Sequence, residues 1–180
     1  GLFVSGDYNR KTGLGDASNT AKYLNSNRAN NADGQNNAHL SCYISTVTSA
    51  TGSYIAASQS AGGYSGIQRN GNIGLILQVR GVDDNIPTVN SHLTTGFKGA
   101  TRSDSTQLTR RFDGATATVN INSTATNANN YFVFVQNTGS GTFAFNNGRL
   151  AFYSIGESLD LALLDARVTA LINAFGVAIP

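Results

Sequence analysis

From Arg149 to Ile155 apolar and polar positions alternate, with Leu150, Phe152 and Ser154 on one side and Ala151, Tyr153 and Ile155 on the other. A period of two rich in aromatic and aliphatic residues predicts a strand that meets apolar material on both faces. The period breaks at Gly156, and from Ser158 it resumes at helical spacing. A helix is predicted over Ser158 to Phe175, with Leu161, Leu164, Val168, Leu171 and Phe175 spaced three, four, three, four along one stripe. That spacing is a coiled-coil seam, although two heptads are fewer than the three or four that define one. The stripe must be covered, either by the chain's own strands or by copies of itself. Glu157 and Asp160 fall at the strand-to-helix junction, where acidic side chains favour the positive end of a helix.

Upstream, short alternating runs follow one another at near-even spacing. Strands are predicted at Thr20–Asn25, His39–Thr46, Ser53–Ala57, Gly63–Arg69, Gly74–Gly81, His92–Arg102, Gln107–Phe112, Ala115–Ile121 and Tyr131–Val135, and Gly1–Val4 reads as an opening strand. Asp113-Gly114 between two alternating runs is a strong hairpin signal, because a type I′ turn needs positive φ at both central positions. Asn70-Gly71 signals another hairpin in the same way. Asn25 to Asn37 and Asn122 to Asn130 read as polar surface loops, and Asp83 to Asn90, around Pro87, as a connection. Nine to eleven strands and one terminal helix predict an all-β fold, an antiparallel β-sandwich of jelly-roll type. Residues 1–156 form the sandwich, and residues 157–180 a helix and tail packed on it or on a neighbouring subunit.

Composition changes the picture by what it removes. Only 12% of the 180 residues are charged, against about 25% in an ordinary protein. Asn, Ser, Thr and Gly carry the polarity instead. A net charge of +2 with no basic stripe argues against nucleic acid. Arg110-Arg111 is an adjacent basic pair, and in a strand the two side chains point to opposite faces. No run reaches the roughly 18 apolar residues of a membrane span, so no membrane insertion is expected. A chain that begins at Gly1 and has no Met reads as part of a longer or processed protein. Cys42, the only cysteine, shares a strand face with Leu40 and Ile44 and reads as a buried structural thiol.

Catalytic chemistry is not visible. No paired carboxylates share a strand as glycoside hydrolysis needs, no serine occupies a Gly-x-Ser-x-Gly elbow, and His39 and His92 stand alone without zinc spacing. No cofactor is expected; calcium at Asp83-Asp84 is the one metal reading. Sugar binding needs aromatic rings near planar polar groups, and the chain has no Trp. Tyr64 with Arg69 and Asn70 is the candidate carbohydrate site, Tyr8 and Tyr54 being further tyrosines in Gly/Ser/Asn-rich segments.

Three segments together resemble a known family: Arg111-Phe112-Asp113-Gly114, the strand Tyr131–Val135, and Arg149-Leu150-Ala151-Phe152-Tyr153-Ser154-Ile155-Gly156-Glu157-Ser158-Leu159. They are similar to the laminin-G-like, concanavalin-A-like jelly rolls, in particular to domains near the ends of bacteriophage structural proteins. The resemblance implies a virion module of a tail fibre, spike or head decoration, located on the particle or outside the cell. It implies other virion subunits as partners, a homo-oligomer such as a trimer, and a host-surface glycan as ligand. The alternative is a carbohydrate-binding module of a secreted bacterial protein. An enzyme is not expected.

Overall fold

The computed structural model describes residues 3–16, 21–58, 63–71, 74–81 and 93–179. Asp83-Asp84, Pro87 and His92 lie outside the described residues. The strands are β1 (Tyr8–Asn9), β2 (Gly13–Gly15), β3 (Leu24–Ala29), β4 (Ala38–Thr46), β5 (Gly52–Ala57), β6 (Tyr64–Asn70) and β7 (Gly74–Gly81). They continue as β8 (Gly96–Arg102), β9 (Gln107–Phe112), β10 (Ala115–Asn120), β11 (Asn130–Val133), β12 (Gln136–Asn137), β13 (Thr142–Phe143) and β14 (Arg149–Gly156), ahead of one helix, α1 (Leu161–Ala178). One sheet runs β1-β2-β14-β4-β8-β9-β10 and the other β13-β12-β5-β11-β3, with β6 joined to β5 and β7 to β6. Pairing is antiparallel except between β12 and β5. The fold is the predicted β-sandwich with a single C-terminal helix.

Alternation explains how the two sheets close on each other. Leu40, Cys42 and Ile44 of β4 point inward and meet Ile55, Ile67, Leu75, Leu77 and Val79 from the other sheet. Each of these is at most 1% exposed. Burying one such side chain is worth roughly 1.5–3 kcal/mol, so these few strands hold most of the stability. Cys42 sits in this core, and burial pushes its thiol pKa up, as suits a packing residue.

The opposite face of the first sheet is also covered. Tyr43 of β4, Phe97 of β8 and Phe152 of β14 form a second apolar cluster with Leu161, Leu164, Val168 and Ile172 of α1. The molecule therefore has three layers, and β4 and β14 are packed on both sides. Leu150 and Phe152 do not share a face, as strict alternation predicts. A β-bulge between them reverses the sides: Leu150 pairs with Ile44 toward the core, and Phe152 pairs with Tyr43 toward the helix.

Several element boundaries differ from the sequence expectation, among them the opening strand, which is absent at the described Phe3 and Val4, and β8, which starts at Gly96. β3 runs through Asn25 to Ala29, into the stretch predicted as loop, and a 3-10 turn follows at Asn30–Ala32. Its polar side chains bond locally: the Ser26 hydroxyl donates to the Tyr131 carbonyl at 2.8 Å, and Arg28 pairs with Asp33. The Tyr131–Val135 strand ends at Val133, because Phe134 has φ of 72° and turns the chain. The Phe134 N–H still bonds the Tyr54 carbonyl at 2.9 Å, and its ring packs 5.5 Å from that of Phe3. The helix begins at Leu161 rather than Ser158, with Asp160 as its N-cap. The hairpin at Asp113-Gly114 agrees with expectation, with φ of 48° and 74° and the pair Ala115↔Phe112 closing it.

Candidate functional site

The Asp160 carboxylate accepts from the backbone N–H groups of Ala162 (2.8 Å) and Leu163 (3.1 Å), which satisfies two of the four donors a helix start leaves open. That cap and the apolar contacts behind it stand α1 on β8 and β9. Leu161 fits there because Gly99 has no side chain; a Cβ on Gly99 would meet Leu161 Cδ2 at 3.0 Å. Arg111 Nε then donates to Asp165 at 2.9 Å, and the Thr169 hydroxyl donates to the same carboxylate at 3.0 Å. The helix base is fixed by packing and by one ion pair whose side chains are mostly covered.

Beyond this base the helix loses its cover. Leu161 and Val168 are buried and Leu164 is half-buried, whereas Leu171 is 47% and Phe175 45% exposed. The predicted stripe is thus split between the sandwich and solvent. Leu163 and Val177 add to the bare apolar surface, Val177 at 89% exposed. From Ala170 to Ile179 the chain carries no charge at all.

The helix bears on the expectation that no segment is long and apolar enough for a membrane. Leu161–Ala178 is 18 residues long with a mean hydropathy of 1.5, so by length and composition alone it is long and apolar enough to cross a membrane. Five alanines interleave with the larger residues, so apolarity accumulates without a conspicuous run, and only Asp165 and Arg167 are charged.

Beside the helix base lies a cleft of about 400 Å³, lined among others by Tyr43, Phe97, Arg111, Asp113, Asp165 and Thr169. Its charged groups are engaged. Lys98, fully buried, pairs with Asp113 and donates to the Thr94 hydroxyl at 2.8 Å, and Thr94 donates to Asp113 at 2.6 Å. Arg111 holds Asp165 and also donates to the Thr116 hydroxyl at 3.0 Å. The arrangement locks the hairpin tip and the helix base to the same sheet. Among the described residues no group of three or more His, Cys, Asp or Glu side chains could hold a metal ion.

The predicted carbohydrate residues do not form a site. Tyr64 is 4% exposed and its hydroxyl donates to Gln68 at 2.8 Å, so its ring offers no face to a sugar. Arg69 is spent on backbone, donating to the carbonyls of Thr48 and Gly71. Asn70 pairs with Gly74 at the far end of β6, roughly 20 Å from Tyr64 along an extended strand. Tyr54 is buried as well, its hydroxyl accepting from the Thr48 N–H at 3.0 Å. The exposed rings are elsewhere: Tyr8 (59%) and Tyr153 (41%) flank an apolar pocket of about 190 Å³ lined by Leu14, Leu24, Val133 and Leu150. Sequence distance hid this pair, since β1 and β14 meet only through β2.

No protein-family model, no curated protein and no solved structure matches the chain.

Proposed function

We propose that the chain is a non-catalytic structural and adhesion module of a phage-like particle, joined to copies of itself through the projecting half of α1. The observation that carries this reading is the split stripe: a helix anchored at its base that holds Leu171, Phe175 and Val177 out in water. Each large apolar side chain left exposed forgoes roughly 1.5–3 kcal/mol of burial, so a partner face that covers several is strongly favoured. Copies of the same helix meet that need by seating equivalent residues against one another. The particle setting is supported by the low charge, the abundance of Asn, Ser, Thr and Gly, and the resemblance of the Arg149–Leu159 segment. A host-surface glycan is the ligand class that goes with it, and Tyr8 and Tyr153 are exposed rings that could stack on one.

Sedimentation from low to high protein concentration tests the assembly, with Leu171→Ser and Phe175→Ser as controls. Concentration-dependent association weakened by both substitutions is expected. A wild-type chain that stays monomeric throughout rejects the self-assembly reading. A monomer whose Tyr153→Ala variant loses affinity for an immobilised glycan supports instead a carbohydrate-binding module of a secreted protein. Co-flotation with neutral phosphatidylcholine vesicles, lost in Phe175→Ser, rejects self-assembly in favour of a lipid surface.

A further inference from the structure

Three arginines among the described residues are buried in the sandwich: Arg80 and Arg102 at 0% exposure and Arg110 at 3%. The first two are held by backbone carbonyls. Arg80 donates to Asn30 at 2.5 Å and to Gly34. Arg102 donates Nε to Val79 at 2.9 Å and Nη1 to Asp104, Gln107 and Ile121 at 3.1, 3.0 and 2.9 Å. Each keeps one nitrogen without an acceptor, Arg80 Nε and Arg102 Nη2. Arg110 departs from this pattern. Its Nε and Nη2 are both buried without a hydrogen-bond partner.

The strand register sets the surroundings of Arg110. In β9 it alternates with Leu108 and Phe112, so it faces the core side of the sheet. Its cross-strand neighbours are Ala100 and Ala117, a small side chain on either side. β10 is the last strand of its sheet, and its core-facing Ala117 and Val119 are only half-buried. The fork therefore sits one strand in from the edge of its sheet. Burial alone lowers its pKa, to about 10, with no neighbouring charge offsetting it. At neutral pH the group is still a cation. A buried cation with two unused donors is costly, and a guanidinium does not escape that cost by losing its proton. Two parallel N–H donors match the two oxygens of a single anion.

We infer that Arg110 is the seat of an oxyanion-binding site on the inner face of β9, entered beside β10. Its ligand is a group with two oxygens in fork geometry: the carboxylate of an acidic sugar, or a sulfate or phosphate ion. This inference is independent of how α1 assembles.

Melting curves at matched ionic strength in chloride, sulfate, phosphate, glucuronate and neutral glucose test it, with calorimetric titration of each compound. The wild type should gain a few degrees in Tm, saturably, in at least one oxyanion relative to chloride, with one site per chain and no response to glucose. Arg110→Met should lose at least tenfold in affinity for that anion while melting no lower than wild type in chloride. Arg110→Lys keeps the charge without the fork and should not restore full affinity. Tighter binding of glucuronate than of phosphate or sulfate identifies an acidic sugar as the source; the reverse order identifies a free inorganic ion. A wild type whose Tm is the same in every anion overturns the inference even if the variants fail to fold. Binding that Arg110→Met retains overturns it as well.

Discussion

The two halves of α1 share one apolar stripe and meet opposite fates. Leu161 and Val168 sit on Phe97, Tyr43 and Phe152, behind a capped start and an ion pair to Arg111. Leu171 and Phe175, about one and two turns beyond Val168, are nearly half exposed. The difference is made by the sheet and not by the helix. β8 and β9 supply a bare glycine, an aromatic floor and a counter-ion for the first three turns. No such floor lies under the rest. A stripe in sequence states that something must cover it; only the neighbouring surface decides what.

The largest expected effect is at the docked end. Leu161→Ala should cost about 2–5 kcal/mol, because it removes buried methyl groups and leaves a cavity between helix and sheet. Gly99→Val attacks the same contact from below by overpacking and should cost about 1–3 kcal/mol. Denaturant titrations at several protein concentrations should give the same loss at each. A loss that shrinks as concentration rises would mean that this half, too, is held by another copy.

How much of this was legible follows from the same contrast. The hairpin at Asp113-Gly114, the strand Gly74–Gly81 and the Asp160 cap are local in cause, so a few adjacent residues announce them. The helix stripe was legible as a stripe, but its division at Leu171 depends on where β8 and β9 end. The later part of β3 was read as loop because an outer strand built of Asn, Ser and Arg has the composition of one. Its pairing with β11 lies about a hundred residues away. Tyr64 misled for the converse reason: Gly and Ser neighbours suggested an exposed segment, whereas β6 is covered on both faces. Arg110 did leave a signal. Its alternation with Leu108 and Phe112 already placed a cation on an apolar face.

Gly114→Val probes the hairpin whose tip lines the cleft beside the docked half. Nothing lies within 4 Å of a Cβ built there, so the cost is conformational alone: a β-branched residue at φ of 74°. A loss of about 1–3 kcal/mol in a thermal melt is expected. An unchanged Tm would show that the turn relaxes and that the cleft wall is not rigid. Asp160→Ala comes next, at about 0.5–2 kcal/mol for a lost N-cap. Amide exchange should locate the damage in the first turn of α1. Equal deprotection along the whole helix would contradict an anchored base and a free tip.

Acid tests the seam below that cap. The His39 Nδ1–H donates to the Glu157 carbonyl at 2.6 Å, which leaves Nε2 to accept from the Ser154 hydroxyl at 2.8 Å. Burial lowers its pKa below the usual 6.5, although the Glu157 carbonyl opposes the shift. A base whose folded pKa is lowered binds its proton more readily when unfolded. Stability is therefore unaffected above the unfolded pKa and falls as pH drops through it toward the folded value. The Glu157 carbonyl opposes that fall. Denaturation midpoints between pH 7.5 and 5 should decline less steeply in His39→Gln than in wild type, and identical slopes would place the acid sensitivity elsewhere.

The smallest effect on the isolated fold is expected at the free tip, and there a null result is the informative one. Leu171→Ser and Phe175→Ser remove apolar groups that already stand in water, so each should change monomer stability by no more than about 0.5 kcal/mol. The change from Leu to Ser also lowers helix propensity slightly, by a few tenths of a kcal/mol. Measured at concentrations below any association, both variants should unfold with wild-type midpoints, while Leu161→Ala does not. At high concentration the order should invert: the tip variants lose association, and Leu161→Ala keeps whatever association its folded fraction supports. A tip substitution that destabilises the dilute monomer by 2 kcal/mol or more would erase the distinction between the two halves. The outer stripe would then be covered by the chain's own sandwich in solution, and assembly would have to run through another surface, with the rim around Tyr8 and Tyr153 the first to test.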